Sequence, residues 1–337
     1  MGTKAVVLLS GGLDSGLALR LVHDLGVECV ALHMKSVFSG SKLDAQGRCA
    51  AEVIAAGVGV PLRTVDFSEN LLEIVRSPRH GYGKNMNPCI DCRIASLGVA
   101  RELMDEIGAD FLVTGEVLGQ RPMSQRREAM AMIEREAGVE GLVLRPLSAQ
   151  NLPPTKPERD GLVDRSKLLG IRGRSRKEQI RLAGEWGVAG YTSPAGGCLL
   201  TDPGFSLRLR ELMDHRPDFT LSDVELLKFG RHFRLGPRTK AVVGREQEDN
   251  DGIEALAAAG DVLFRLLDRP GPSTLLRGDA TAANECYAAE LTVFYAKVED
   301  DDPVIVEVEH PHARRAPDFM EVRAVRADYL ESLRINV

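Results

Sequence analysis

Two groups of residues in this chain have the types and spacing to do chemistry. The first is Ser10-Gly11-Gly12-Leu13-Asp14-Ser15, which follows the apolar run Ala5–Leu9 and precedes Gly16-Leu17-Ala18-Leu19-Arg20-Leu21-Val22. A strand, a glycine turn and a helix start in that order form a cradle for phosphate. The glycines let the backbone approach an anion, and the free N–H groups of the helix start point at it. No Lys follows the glycines, so this is not the GxxxxGK loop of common NTPases. The second group is a set of thiols. Asn87-Pro88-Cys89-Ile90-Asp91-Cys92-Arg93 places a CxxC at a predicted helix start, and Cys198 sits in the turn Thr192-Ser193-Pro194-Ala195-Gly196-Gly197-Cys198. Two thiols at that spacing ligate one metal or cluster, or form a redox pair, and a helix N-terminus favours the thiolate. Cys29, Cys49 and Cys286 fall in strand or helix patterns and read as ordinary packed residues.

The elements that position these groups alternate. Strand-like runs are Ala5–Leu9, Glu28–Met34, Leu62–Phe67, Phe111–Gly115 and Leu142–Leu147; helical patterns lie near Gly16–Leu25, Leu43–Ala56, Ile90–Ile107 and Ser124–Ala137. Such alternation predicts an α/β fold, a doubly wound parallel sheet with its ligand crevice at the strand C-ends. The cradle, His33-Met34 and Thr114-Gly115 all fall at such ends and line one crevice. His33 also suits a core position. Pro153, Pro154 and Pro157 make residues 148–163 read as a loop, and Arg165–Trp186 reads as a helical patch. Beyond a boundary near His215-Arg216-Pro217 the pattern changes to short strands such as Lys240–Val243, Leu291–Lys297 and Val304–Glu309. The predicted domains are therefore 1–215 and a smaller α+β domain at 216–337.

SGGxDS resembles the loop of the PP-loop ATP pyrophosphatases, which cleave ATP between its α- and β-phosphates. With Thr114-Gly115-Glu116-Val117-Leu118-Gly119-Gln120 and Ser124-Gln125 the likeness narrows to the catalytic core of the tRNA 4-thiouridine synthetases. That likeness implies an adenine slot from Leu8, Leu9, His33 and Met34. It places Arg93 and Gln125 near the nucleotide, Gly115 against its ribose or base, and Ser10, Gly11, Gly12, Leu13, Asp14 and Ser15 on the phosphates. It runs over about the first 200 residues, without the family's THUMP module or rhodanese domain. The CxxC with a distant third cysteine resembles the rhodanese-lacking thiolases, which hold a 4Fe–4S cluster on three cysteines. This implies Cys89, Cys92 and Cys198 as cluster ligands. It also resembles the bacterial 2-thiouridylases, in which Cys92 and Cys198 would alternate between persulfide and disulfide without iron.

A net charge of −6 gives no global attraction to nucleic acid, so RNA contact requires a local basic patch. The run Arg165, Lys167, Arg172, Arg174, Arg176, Lys177 and Arg181 is one candidate; the other reading is a solvated helix face. Lys228-Phe229-Gly230-Arg231-His232-Phe233-Arg234-Leu235 interleaves aromatics with bases and suits either an RNA clamp or a core-facing helix stripe. Asp300-Asp301-Asp302 reads as a charged turn. The tail weakly resembles small RNA-binding domains fused to thiouridine-synthetase-like proteins.

The resemblance thus implies an ATP-dependent RNA sulfurtransferase. Asp14 would place Mg²⁺ at the pyrophosphate, and adenylation would turn a uridine oxygen into a leaving group. Expected partners are a tRNA or other RNA, a sulfur donor (free sulfide or a cysteine desulfurase) and a second copy of the chain. Cysteine usage and the lack of a signal or membrane segment predict a reducing cytoplasm. Two readings stay open beside it: a small-molecule sulfur insertase or ligase, and an RNA-binding regulator that binds ATP without turnover.

Overall fold

The structure is a computed structural model. It describes every residue except 1, 41–42, 192–197, 297, 299–302, 324–330 and 336–337. The chain divides into two units, Met1–Thr201 and Asp202–Val337.

In the first unit, five strands lie in the order β3-β2-β1-β4-β5. They are β1 (Lys4–Leu8), β2 (Glu28–Lys35), β3 (Leu62–Asp66), β4 (Phe111–Thr114) and β5 (Val143–Leu144), and every pairing is parallel. The helices are α1 (Leu13–Asp24), α2 (Ala50–Val58), α3 (Ser68–Arg76), α4 (Cys89–Ile107), α5 (Arg127–Glu136), α6 (Lys156–Arg159) and α7 (Lys177–Trp186). The period of two in β1 assigns its side chains. Ala5, Val7 and Leu9 pack with Leu17, Ile54 and Leu182; Val6 and Leu8 pack on the other face with Leu97, Ala100 and Ile133. Burial on both faces is why the strand reads as one continuous apolar run. The strand order reverses between β1 and β4, so the crevice opens where Leu8 lies level with Leu32 and Thr114.

The second unit is a six-stranded antiparallel sheet in the order β11-β10-β8-β9-β7-β6. Its elements are α8 (Pro203–His215), α9 (Leu221–Leu226), β6 (Arg231–Arg234), β7 (Lys240–Val243), α10 (Gln247–Ala255), β8 (Val262–Leu266), β9 (Thr274–Arg277), α11 (Ala282–Tyr295), β10 (Val304–Glu309) and β11 (Asp318–Val322). The α11 residues Ala288, Leu291 and Val293 cover one face with Phe233, Phe264 and Val306. Leu226 and Ile253 cover the other, against Val242, Leu263 and Leu275.

Several sequence expectations are corrected. The division falls after Thr201, not after residue 215, because α8 belongs with the second unit: its Glu211 binds both Arg234 and Lys240. The run from Leu291 is the end of α11, not a strand. Thr281 caps that helix by accepting from the Asn284 N–H, and an alanine-rich first half carries it forward. Phe233 lies in β6, fully buried, so it belongs to a strand and not to a helix stripe, and its ring is not open to stack on RNA. Only α7 and a 3₁₀ turn at Arg165–Lys167 are helical within Arg165–Trp186, with Gly173 at φ +84° between them. The proline-rich loop holds α6, whose capping box joins Thr155 to Glu158 and whose Pro157 sits in the tolerant first turn. Helix α3 was not anticipated. The Asp300–Asp302 turn and most of the turn before Cys198 fall outside the described residues.

Candidate active site

A cavity of about 300 Å³ opens at the C-ends of β1, β2 and β4. Leu8, Leu9, Ser10, Gly12, Leu13, Asp14 and Ser15 line it, with His33, Met34, Arg93, Gly115 and Gln125. Cys89, Cys92 and Cys198 line the same cavity. Of the residues expected at the nucleotide and the thiols, Gly11 alone does not line it.

The cradle is braced from within. The Ser15 hydroxyl donates to the Gly12 carbonyl at 2.9 Å and lies 3.1 Å from the Ser10 hydroxyl. Gly12 caps α1 without a side chain, which leaves the first-turn N–H groups available to an anion. Gly11 is buried at φ +77°, and a Cβ there would sit 3.0 Å from Ala50 and Ala51 atoms, so glycine is required by shape. Asp14 is held by a relay. Gln179 donates to Gln120 at 3.0 Å, and Gln120 donates to Asp14 Oδ2 at 2.6 Å. The other oxygen, Asp14 Oδ1, is buried without a hydrogen-bond partner. An orphaned carboxylate oxygen beside a phosphate cradle fits a hard divalent cation.

His33 places Nδ1 at 2.9 Å from the Leu9 carbonyl. Against a carbonyl oxygen that nitrogen is the donor, which fixes the ring at the end of β2. Gln125 accepts from the Arg121 N–H at 3.0 Å, so its carbonyl is engaged in its own loop. Arg93 Nε is 3.4 Å from Glu116, which a buried Arg145 also binds at 3.0 Å. Burial opposes the Glu116 charge, but Arg93 and Arg145 outweigh it and hold the carboxyl below its usual range.

Gly115 lines the cavity, and the backbone of the cradle gives it a further reason to be glycine. A Cβ there would lie 2.5 Å from the Asp14 carbonyl carbon and the Ser15 nitrogen, backbone atoms that cannot yield. The end of β4 therefore sets the position of the cradle. Gly115→Ala is expected to weaken ATP binding by at least ~10-fold while the second unit unfolds as before. Isothermal titration with ATP checks this; unchanged affinity would show that the loop adjusts freely.

The thiols are linked by Asn87, which the sequence reading passed over. The Cys89 thiol donates to Asn87 Oδ1 at 2.8 Å, and Asn87 Nδ2 donates to Cys198 sulfur at 3.5 Å. The expectation of helix-stabilised thiolates is not met. Burial is the largest effect: it pushes Cys89 and Cys92 up, against the pull of Arg93 and Arg121, and takes Cys198 to about 12. Among the described residues no three His, Cys, Asp or Glu side chains are placed to hold one metal ion. A cluster distributes its thiolates over separate irons, so this soft donor set suits that group in kind better than a mononuclear site. Arg121 also lines the cavity and was missed as a site residue; Arg176, expected in the basic run as an RNA contact, lines the cavity as well.

A family model described as thiamine biosynthesis protein (ThiI) matches residues 1–151, and one described as NFACT protein RNA binding domain matches residues 230–334. The tRNA-specific 2-thiouridylase MnmA of Pseudothermotoga lettingae is 34% identical over 126 residues, 33% of this chain and 36% of that protein. The probable tRNA sulfurtransferase of Methanothermobacter thermautotrophicus is 35% identical over 121 residues, 35% of this chain and 30% of that protein. The chain spans about a third of the length of these relatives. A solved 4-thiouridine synthetase–RNA complex with bound ATP aligns at 23% identity and a TM-score of 0.38, covering 66% of this chain and 52% of that one. In its cradle, strand order and matched segment, the part at residues 1–151 is similar to the PP-loop cores of these tRNA-thiolating relatives.

Proposed function

We propose that this protein is an ATP-dependent tRNA sulfurtransferase. The observation that carries the reading is the meeting of a phosphate cradle and three thiols on one cavity. ATP would lie with its phosphates on Ser10–Ser15 and its adenine by Leu9, His33 and Met34. Mg²⁺ would sit on the free oxygen of Asp14, neutralising the departing pyrophosphate. The uridine carbonyl oxygen attacks the α-phosphorus and pyrophosphate leaves. A sulfur nucleophile then adds to the base carbon, and AMP departs with the oxygen. With hydrosulfide as donor, one proton is released and no reductant is consumed. Arg93, fixed by Glu116, and Arg176 would stabilise the phosphoryl charge.

Cys89, Cys92 and Cys198 would hold a 4Fe–4S cluster. Such a group, when bound, supplies an open iron that carries sulfide. The persulfide route through Cys92 and Cys198 needs only those two and ends in a disulfide that an added thiol must reduce. All six cysteines are free, which suits a reducing cytoplasm. Among the described residues no helix is long and apolar enough to cross a membrane.

With ATP, RNA and sulfide, AMP and pyrophosphate should appear in equal amounts. ADP and phosphate as the products would contradict the reading. RNA contact is expected from Arg172 and Arg174, both exposed. Arg165 and Arg181 are engaged instead by Glu158 and by Glu178 and Glu185. Arg172→Ala with Arg174→Ala should lower the log–log salt slope of RNA binding by up to ~0.9 per lost contact. An unchanged slope would return these residues to plain surface.

A further inference from the structure

A second, smaller cavity lies wholly inside the second unit. Its volume is about 30 Å³, room for roughly two water-sized groups at ~10–15 Å³ each. Arg216, Arg234, Arg238, Lys240 and Arg277 line it, and Asp223 is the carboxylate among the lining residues. Three more carboxylates engage these cations without lining the cavity: Glu211 on Arg234 and Lys240, Asp261 on Arg277, and Asp218 on Arg216 at 3.9 Å. Positive charge therefore exceeds negative around a small, recessed space.

The donors divide into used and spare. Arg277 binds Asp223, Asp261 and the Leu256 carbonyl, and Arg234 binds Glu211 and the Gly236 and Thr239 carbonyls. Both are saturated. Lys240 is 7% exposed and gives one hydrogen bond, to Glu211 at 3.2 Å, which leaves two ammonium protons. Arg216 reaches Asp223 through one terminal nitrogen at 3.3 Å and pairs with the exposed Asp218 at 3.9 Å through Nε, which leaves its second terminal nitrogen free of either. Arg238 is exposed at the edge and makes no hydrogen bond or ion pair among the described residues. An independent sign comes from His232, 2% exposed and also lining the cavity. Its Nε2 is 2.8 Å from the Phe229 carbonyl, while Nδ1 is buried with no partner. Buried polar atoms in native folds are nearly always satisfied; with Nε2 donating to a carbonyl, the bare Nδ1 is an acceptor, so it calls for a water in the cavity that donates to it and can donate onward to an anion.

We propose that this cavity seats one phosphodiester group of an RNA backbone, its two non-bridging oxygens received by Lys240, Arg216 and Arg238. The size of the cavity matches two oxygens, and the open edge at Arg238 lets the chain pass on either side. Burial lowers Lys240 to about 8 despite Glu211, the behaviour of a cation whose compensation is incomplete. The proposal rests on the reading of residues 230–334 as RNA-binding, and supplies that reading with a defined contact.

The test uses the full chain, a short single-stranded RNA and inorganic phosphate. Anisotropy over a salt series should show Arg238→Ala and Arg216→Ala each weakening RNA binding about tenfold, with the salt slope reduced by ~0.7. In thermal unfolding, inorganic phosphate should raise the midpoint of the wild type beyond sodium chloride of equal ionic strength. Both variants should lose that rise, and Arg314→Ala, an equal charge change at an exposed site outside the cavity, should keep it. Wild-type RNA binding with unchanged affinity and slope in both cavity variants would overturn the proposal and leave the RNA-binding reading standing. A wild type stabilised by phosphate yet blind to RNA would overturn both, assigning the cavity to free phosphate.

Discussion

Asp14→Ala should lower ATP-dependent pyrophosphate release by at least ~10²-fold, with ATP still bound. Asp14 Oδ2 is committed to Gln120, and Oδ1 is the one buried carboxylate oxygen at the cradle without a partner. Loss of the carboxylate removes the hard ligand for the cation that balances the leaving pyrophosphate. It also strands the Gln120 amide, at a cost of about 1–3 kcal/mol. Asp14→Asn separates these effects, since it restores a hydrogen-bonding partner to Gln120 and still removes the charge. Both variants should be equally inactive. An active Asn variant would mean that Asp14 acts through shape and that the cation is held elsewhere.

The cysteines should divide the two sulfur routes. Cys89→Ser, Cys92→Ser and Cys198→Ser should each lower thiolation by at least ~10³-fold and each lose iron, while ATP binding stays within about threefold. Serine at 89 keeps a donor for Asn87, so a fold defect is not the expected cause. In the persulfide route Cys89→Ser is nearly silent, and only Cys92 and Cys198 matter. Iron and acid-labile sulfide in anaerobically purified parent and variants decide between them. An iron-free, fully active parent would eliminate the cluster.

The parts of the site that could be read from the sequence are those constrained by local geometry. Gly11 must adopt a positive φ, Ser10 and Ser15 must reach each other across one turn, and Cys89 and Cys92 share a helix start. Such residues leave a pattern within a few positions. Cys198 was found through its glycine neighbours, although only the folded unit shows its approach to Asn87. Asn87, Arg121 and Gln179 meet the site from distant segments, and no spacing rule marks them. Gly115 was legible as a residue beside the ligand, but its close approach to the Asp14 and Ser15 backbone was not, because a glycine that yields to a ligand and one that yields to a neighbouring loop look alike in sequence. In the second unit the error at α11 has a similar origin. The short apolar run Leu291-Thr292-Val293-Phe294-Tyr295 carries β-branched and aromatic residues, and period alone does not separate a buried helix end from a strand. Arg165 illustrates the converse: it looked like part of an RNA face and instead ties Glu158 to the Ala149 and Leu152 carbonyls.

The most direct test of the central claim is nucleoside analysis by mass spectrometry of tRNA incubated anaerobically with the protein, ATP, Mg²⁺ and sulfide. The account predicts a uridine in which one oxygen is replaced by sulfur, formed only with ATP, matched by AMP and pyrophosphate, and absent with Asp14→Asn. ATP-independent thiolation, or AMP and pyrophosphate formed with no sulfur entering the RNA, would contradict it.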